Sequence, residues 1–192
     1  MPRVHTKIFM SALYLCFFVA ASSVATAKPN YVGSSKCRIC HLPQYKSWQQ
    51  TKMAQAYELL KPGKAAEAKQ KAKLDANKDY TRDPVCLACH TTGYGQPSGF
   101  RDIATTPDLA GVGCEACHGP GADYLKPNRM SLQNKEYKRA EVLAAGLVIP
   151  DKQTCAACHN AKSPFVQPGA SFDFEKRKSQ GTHEHSPLKF KH

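Results

Sequence analysis

Eight of the nine cysteines fall into one repeated pattern. The copies are Cys37-Arg38-Ile39-Cys40-His41, Cys86-Leu87-Ala88-Cys89-His90, Cys114-Glu115-Ala116-Cys117-His118 and Cys155-Ala156-Ala157-Cys158-His159. C-x-x-C-H is the attachment signal for c-type haem. Two thiols three residues apart on one turn reach the two vinyl groups of a single porphyrin. The adjacent imidazole then sits under the iron as proximal ligand. A zinc site combines Cys and His pairs into four-ligand sets, which does not explain why a His follows every pair at once. A disulfide scaffold leaves the four His unexplained too. The expected cofactors are therefore four covalently bound haem c groups. Their thioethers form at Cys37, Cys40, Cys86, Cys89, Cys114, Cys117, Cys155 and Cys158, and their proximal ligands are His41, His90, His118 and His159.

The opposite face of each iron decides the chemistry. Six ligands make an electron-transfer haem, while an open sixth position admits a small molecule. His and Met are the usual distal side chains. Outside the motifs and the N-terminal leader, the chain has only His183, His185, His192, Met53 and Met130, a tight supply for four irons. His185 and His192 read as tail residues. Nothing in the spacing marks Tyr94, Asp102 or Glu115 as a proton donor.

The elements that must position these groups begin after a targeting segment. Residues 1–27 read as a secretory signal peptide. Arg3 and Lys7 precede an apolar run over residues 8–20, too short to span a bilayer, and Ala25-Thr26-Ala27 forms the cleavage site. Cys16 lies in the leader, so the mature domain, residues 28–192, commits all its cysteines to the motifs. Export implies a periplasmic location, with no transmembrane segment after cleavage. Losing Arg3 and Lys7 lowers the formal charge from +12 by two, to +10. Each ferric haem adds about −1, which brings the oxidised protein to about +6. Nucleic-acid binding is not expected of an exported haem protein.

The fold class expected is mostly α with long irregular loops, a compact multihaem c-type cytochrome whose covalent haems form much of the core. Ser34 or Ser35 could cap the first haem turn. Residues 42–60 read as a helix with Met53, Ala56, Tyr57 and Leu60 on one stripe, broken by Pro62-Gly63. Residues 64–77 read as an exposed Lys-rich helix, and residues 132–147 as a third helix ended by Gly146 and Pro150. Residues 111–121 wrap the third motif. Lys61, Lys64, Lys69, Lys71, Lys73 and Lys78 form a basic strip that would meet redox partner proteins with an acidic docking surface.

Stretches beyond the motifs resemble the tetrahaem cytochrome c-554 family. They are Ser47-Trp48, Leu60-Lys61-Pro62, the run from Ala68 to Asp75, Lys78-Asp79-Tyr80-Thr81 and Gly93-Tyr94-Gly95-Gln96. The Gly111-Val112-Gly113-Cys114-Glu115 block with Cys117-His118-Gly119-Pro120-Gly121 follows, and then His183-Glu184-His185. The resemblance implies a periplasmic carrier of electrons between redox partners in a respiratory chain, with a link to hydroxylamine or nitrogen-oxide metabolism. It implies three haems with two His each and a five-coordinate second haem. His183 matches the family's C-terminal distal His and would serve the first haem. The family's distal His on the first helix falls at Met53. Another falls near Asn128, two residues before Met130. Met53 and Met130 are thus expected as thioether ligands. Ser163-Pro164-Phe165 matches the segment that covers the open second haem. The alternative function is a reductase or binder of nitric oxide or a related nitrogen oxide there.

Overall fold

The computed structural model describes residues 29–134, 136–166 and 172–186. The expected signal peptide and His192 lie outside the described residues. Short helices joined by turns make up the chain. They are α1 (Ser34–Cys37), α2 (Leu42–Gln49), α3 (Ala66–Lys71), α4 (Pro84–His90), α5 (Cys114–His118), α6 (Arg139–Ala144), α7 (Lys152–Ala156) and α8 (Phe174–Arg177). Single 3-10 turns cover Glu58–Leu60 and Pro107–Leu109. Among the described residues, β structure is limited to one bridge, Thr91 to Ala110. No helix there is long and apolar enough to cross a membrane.

Local chemistry starts the helices that carry the motifs. The Asp83 side chain accepts from the Val85 N–H, and Pro84 occupies the first helical position of α4, where its missing donor costs nothing. Asp151 accepts from Thr154 N–H, and Thr154 Oγ1 accepts from Asp151 N–H in return, so α7 begins with a reciprocal cap. The N-terminus of α5 is capped from elsewhere in the chain. Ser34 Oγ accepts from Cys114 N–H at 3.1 Å, and Thr92 Oγ1 accepts from Gly113 N–H at 2.8 Å. Ser34 therefore serves the third haem turn rather than the first. A Cβ at Gly113 would lie 2.3 Å from Ser34 Oγ, so this approach requires glycine.

Three helix expectations shorten. Over residues 42–60, α2 ends at Gln49. Thr51 Oγ1 donates to Trp48 O and accepts from Ala54 N–H, a local alternative to helical bonding. Turns follow, although Ala56, Tyr57 and Leu60 are still buried. Over residues 64–77, helix persists only through α3. Ala65 before it and Lys73 after it both take positive φ, 49° and 58°, which L side chains rarely extend into helix. Over residues 132–147 only α6 is helical. It stops where expected, with Gly146 at φ 99° and Leu147 N–H returning to Val142 O, a C-terminal closure that favours glycine.

The apolar core comes in two small pieces. Tyr57, Leu60, Tyr80, Leu87, Phe100 and Leu109 form one, joined by Tyr94 and Cys86. Tyr124, Val142 and Ala145 form the other, with Met130, Tyr137 and Leu147 against it.

Candidate haem-binding sites

Each motif folds as one helical turn. His41 N–H bonds Cys37 O, and His159 N–H bonds Cys155 O, both at 2.9 Å. The second and third motifs lie within α4 and α5. The two sulfurs of a motif, at i and i+3, therefore share a face. None of the eight cysteines is in a disulfide. Among the described residues, no three His, Cys, Asp or Glu side chains converge as a metal-ion site.

Sulfurs of different motifs also meet. The Cys37 and Cys114 side chains hydrogen-bond. In the unattached thiol form the proton stays on Cys37, pushed well above its ordinary range, and Cys114 falls to about 7. Burial pushes Cys158 up to about 12, and Cys89, hydrogen-bonded to it, adds to this. Cys117 rises to about 11, chiefly by burial and then through the charge of Cys155. The attachment points thus adjoin in the order first, third, fourth, second.

The proximal rings are oriented from behind. His90 Nδ1 lies 2.7 Å from Ala56 O, and His118 Nδ1 lies 3.2 Å from Val148 O. An Nδ1–H donates to the carbonyl, which leaves the Nε2 lone pair for a metal. Burial lowers His41, His118 and His159 below their ordinary value; the Val148 carbonyl partly opposes this at His118, and neighbouring cations add to it. Neutral imidazole is the form that binds iron. His159 also stacks on Phe172, centroids 4.5 Å apart. Apolar side chains that the polypeptide leaves uncovered stand at the motifs: Ile39 is 67% and Val85 74% exposed. Paired thiols on one turn followed by an imidazole fit haem c at each motif; the Nδ1 contacts at His90 and His118 and the uncovered Ile39 and Val85 add to that fit where they occur.

His183 lies with its ring centre 6.3 Å from that of His118 and its charge reaches His41. The ring contact is with the third motif, where the resemblance points to the first. The tail is held there because Glu184 N–H donates to Ser47 Oγ on α2 at 2.7 Å. His185 stacks on His183 at 4.7 Å. Met130 packs into the second apolar cluster, whose Tyr124 and Tyr137 feel the charges of Cys37 and Cys40. Tyr124 also feels the charge of Cys114 and donates to Gly119 O at 2.9 Å, so Met130 sits in a wall near both the first and third motifs. Met53 is half-buried, and its carbonyl accepts from Val112 N–H at 2.9 Å, just ahead of the third motif. Ser163, Pro164 and Phe165 form a turn after the fourth motif, with Ser163 N–H on Asn160 O and Phe165 48% exposed.

Two residues carry roles the sequence did not single out. Glu115 is 2% exposed. Its carboxylate accepts from Val32 N–H at 2.9 and 3.2 Å, Gly33 N–H at 2.7 Å and Gly121 N–H at 2.6 Å. Lys69 belongs to the basic strip only in sequence: it is 3% exposed, and its Nζ donates to Lys61 O at 2.7 Å and lies 5.2 Å from the Tyr80 ring centre. Lys61 and Lys71 are paired with Glu58 and Glu67. The strip reduces to Lys64, Lys73 and Lys78, all exposed. Of the acid–base candidates, Asp102 caps an exposed turn through Ala104 and Thr105 N–H, and Tyr94 packs on the first cluster.

The family described as "Cytochrome c554 and c-prime" matches residues 36–119. Cytochrome c-554 of Nitrosomonas europaea is 36% identical over 209 residues, covering 93% of this chain and 88% of that protein. The solved structure of the reduced state of cytochrome c554 from Nitrosomonas europaea superposes with a TM-score of 0.73 at 37% identity, covering 85% of this chain and 89% of that one. The mostly α fold with long irregular loops expected from the sequence is the fold of that multihaem cytochrome. A relative this similar over nearly the whole length decides the assignment: the chain belongs to the cytochrome c-554 family of multihaem c-type cytochromes.

Proposed function

We propose that this protein is a periplasmic tetrahaem electron carrier, passing electrons between redox partner proteins of a respiratory chain. The observation that supports it best is the approach of the motifs to one another: Cys37 lies beside Cys114 and Cys158 beside Cys89, and Cys155 is within electrostatic reach of Cys117. Attachment points that succeed one another in space give a continuous path with an entry and an exit. Haem c supplies one-electron exchange between ferric and ferrous iron. The polypeptide's part is to hold each sulfur pair on one turn, orient His90 and His118 through Ala56 O and Val148 O, and keep imidazoles neutral. With haem bound, His183 would hold an iron together with His118, and Met53 and Met130 would be the two thioether ligands. A nitrogen-oxide or hydroxylamine link follows the family resemblance alone.

The family resemblance supports a second reading, a small-molecule site at the second haem. His118 and His159 have rings against them, His183 and Phe172, while neither His41 nor His90 has one among the described residues, so it is the resemblance that assigns the open position to the second haem. Ser163, Pro164 and Phe165 are the residues proposed to flank that open position.

Reductive titration tests the carrier reading. The matured protein is expected to take up four electrons in one-electron steps and return them to an oxidised cytochrome with no small molecule consumed. Fewer electrons, or electrons released only when nitric oxide is added, would contradict it.

A further inference from the structure

We propose that Glu115 is a fixed negative charge that holds the first and third haems toward the oxidised state; this rests on the reading of the motif cysteines as haem attachment points. Glu115 occupies a variable position inside the third motif. The corresponding residues of the other motifs are Arg38, Leu87 and Ala156, so an acid stands here alone. It is also among the most deeply buried side chains described.

A buried carboxylate is costly unless it is paired and hydrogen-bonded. Among the described residues Glu115 has no ion pair. Every hydrogen bond it makes is accepted from backbone N–H groups, of Val32, Gly33 and Gly121. Two of the three donors are glycines, and a Cβ at Gly121 would stand 3.1 Å from the carboxylate oxygen and 3.0 Å from Val32. The backbone is thus shaped around the charge. Among the described residues, none provides a countercharge.

The position of the carboxylate suggests where that countercharge arises. Glu115 follows Cys114 in α5 and is held by the N–H of Gly33, which precedes α1 with Cys37 at its end, while Ser34 of α1 accepts from Cys114 N–H. From there its field opposes ionisation at Cys37, Cys114, Tyr31 and Tyr124. Ferric haem iron carries one more positive charge than ferrous. A nearby fixed anion therefore favours the ferric form and lowers the potential. Burial keeps the interaction from being screened by salt. The step it biases is a one-electron transfer, ferric to ferrous, with the electron supplied by a reduced partner protein and no bond made or broken. The first and third haems would then release electrons more readily than the second and fourth, giving direction to the path.

Spectroelectrochemistry on the full haem-loaded chain tests this with Glu115→Gln and Glu115→Asp. The Gln variant is expected to raise two of four midpoint potentials, shifting the reduced-to-oxidised ratio at fixed poise about tenfold, or about 59 mV for one electron. Glu115→Asp keeps the charge and is expected to leave all four near wild type. A loaded Gln variant with unchanged potentials, or with all four moving together, overturns the proposal. Should the Gln variant not accumulate, reduced-minus-oxidised infrared spectra of wild type carrying 13C-glutamate decide instead. A labelled carboxylate band is expected to shift in step with two of the four haems and to vanish in Glu115→Asp. No such band overturns the assignment. A colourless wild-type chain overturns the haem reading itself, and this proposal with it.

Discussion

The imidazole of His183 faces that of His118 with ring centres 6.3 Å apart. Two imidazoles sharing one metal through bonds of about 2 Å have centres about 6 Å apart. His183 is 65 positions from His118 in the chain, and the Glu184–Ser47 hydrogen bond brings it back. His183→Ala is expected to convert one low-spin iron to high-spin and to leave the other three as they were. Low-temperature EPR of the oxidised protein reads this directly. An unchanged low-spin count would remove His183 from the ligand set.

Met130 stands in the apolar wall near Cys37 and Cys40. Thioether ligation raises a haem's potential relative to bis-imidazole ligation. Met130→Leu keeps volume and apolarity, with a packing cost under about 1.5 kcal/mol. It is expected to remove a thioether-to-iron charge-transfer band at the red edge of the visible spectrum and to create one high-spin iron. If the band persists in Met130→Leu and is lost in Met53→Leu, Met53 is the ligand and Met130 is packing.

His41, His118 and His159 are all lowered from an ordinary value of 6.5 by burial. In the unfolded chain these rings protonate near 6.5, and in the folded chain only below it. Their contribution is therefore fully present above 6.5 and is lost as pH falls through the lower folded values. Iron competes for the same lone pair, so the haem-loaded chain holds its fold to lower pH than the bare rings would. Acid titration followed by the haem absorbance and by circular dichroism is expected to show loss of ligation and loss of fold together, at a pH below the ordinary imidazole value.

The lysines divide into two kinds. Lys69→Met removes a charge-assisted hydrogen bond to the Lys61 carbonyl, which keeps only the Lys64 N–H at 3.2 Å, and is expected to cost about 1–3 kcal/mol of stability, with little change in electron exchange. Lys64→Glu combined with Lys73→Glu is expected to leave the melting temperature unchanged and to slow exchange with an acidic partner several-fold at low salt. That difference should vanish near 1 M salt, where screening is nearly complete. Thermal melts and stopped-flow exchange separate the two outcomes.

Much of the site was legible because c-type attachment is a local rule. Five consecutive residues are expected to hold both thioethers and the proximal ligand, and the structure shows each of the four motifs folded as one helical turn. Helix lengths were less legible. The stripe at Ala56, Tyr57 and Leu60 correctly marked buried residues, but Thr51 diverts the backbone by bonding Trp48 O and Ala54 N–H, and periodicity cannot register that. Lys69 reads as surface by type, and its burial depends on a carbonyl eight positions away and the Tyr80 ring. Glu115 shows the same limit from the opposite side. Its partners, Val32, Gly33 and Gly121, are backbone groups, and no side-chain pattern announces a carboxylate that bonds only to backbone. The glycines at 33, 113 and 121 were the visible trace, since close approach demands them.

The central claim is that eight sulfurs are thioether-bonded to four porphyrins. Intact mass of the matured, secreted protein under denaturing conditions, combined with thiol titration, tests it most directly. The expected result is a polypeptide carrying the mass of four haems with no reactive thiol. A mass with fewer haems and a matching count of free thiols, or one with zinc in place of tetrapyrrole, would contradict it.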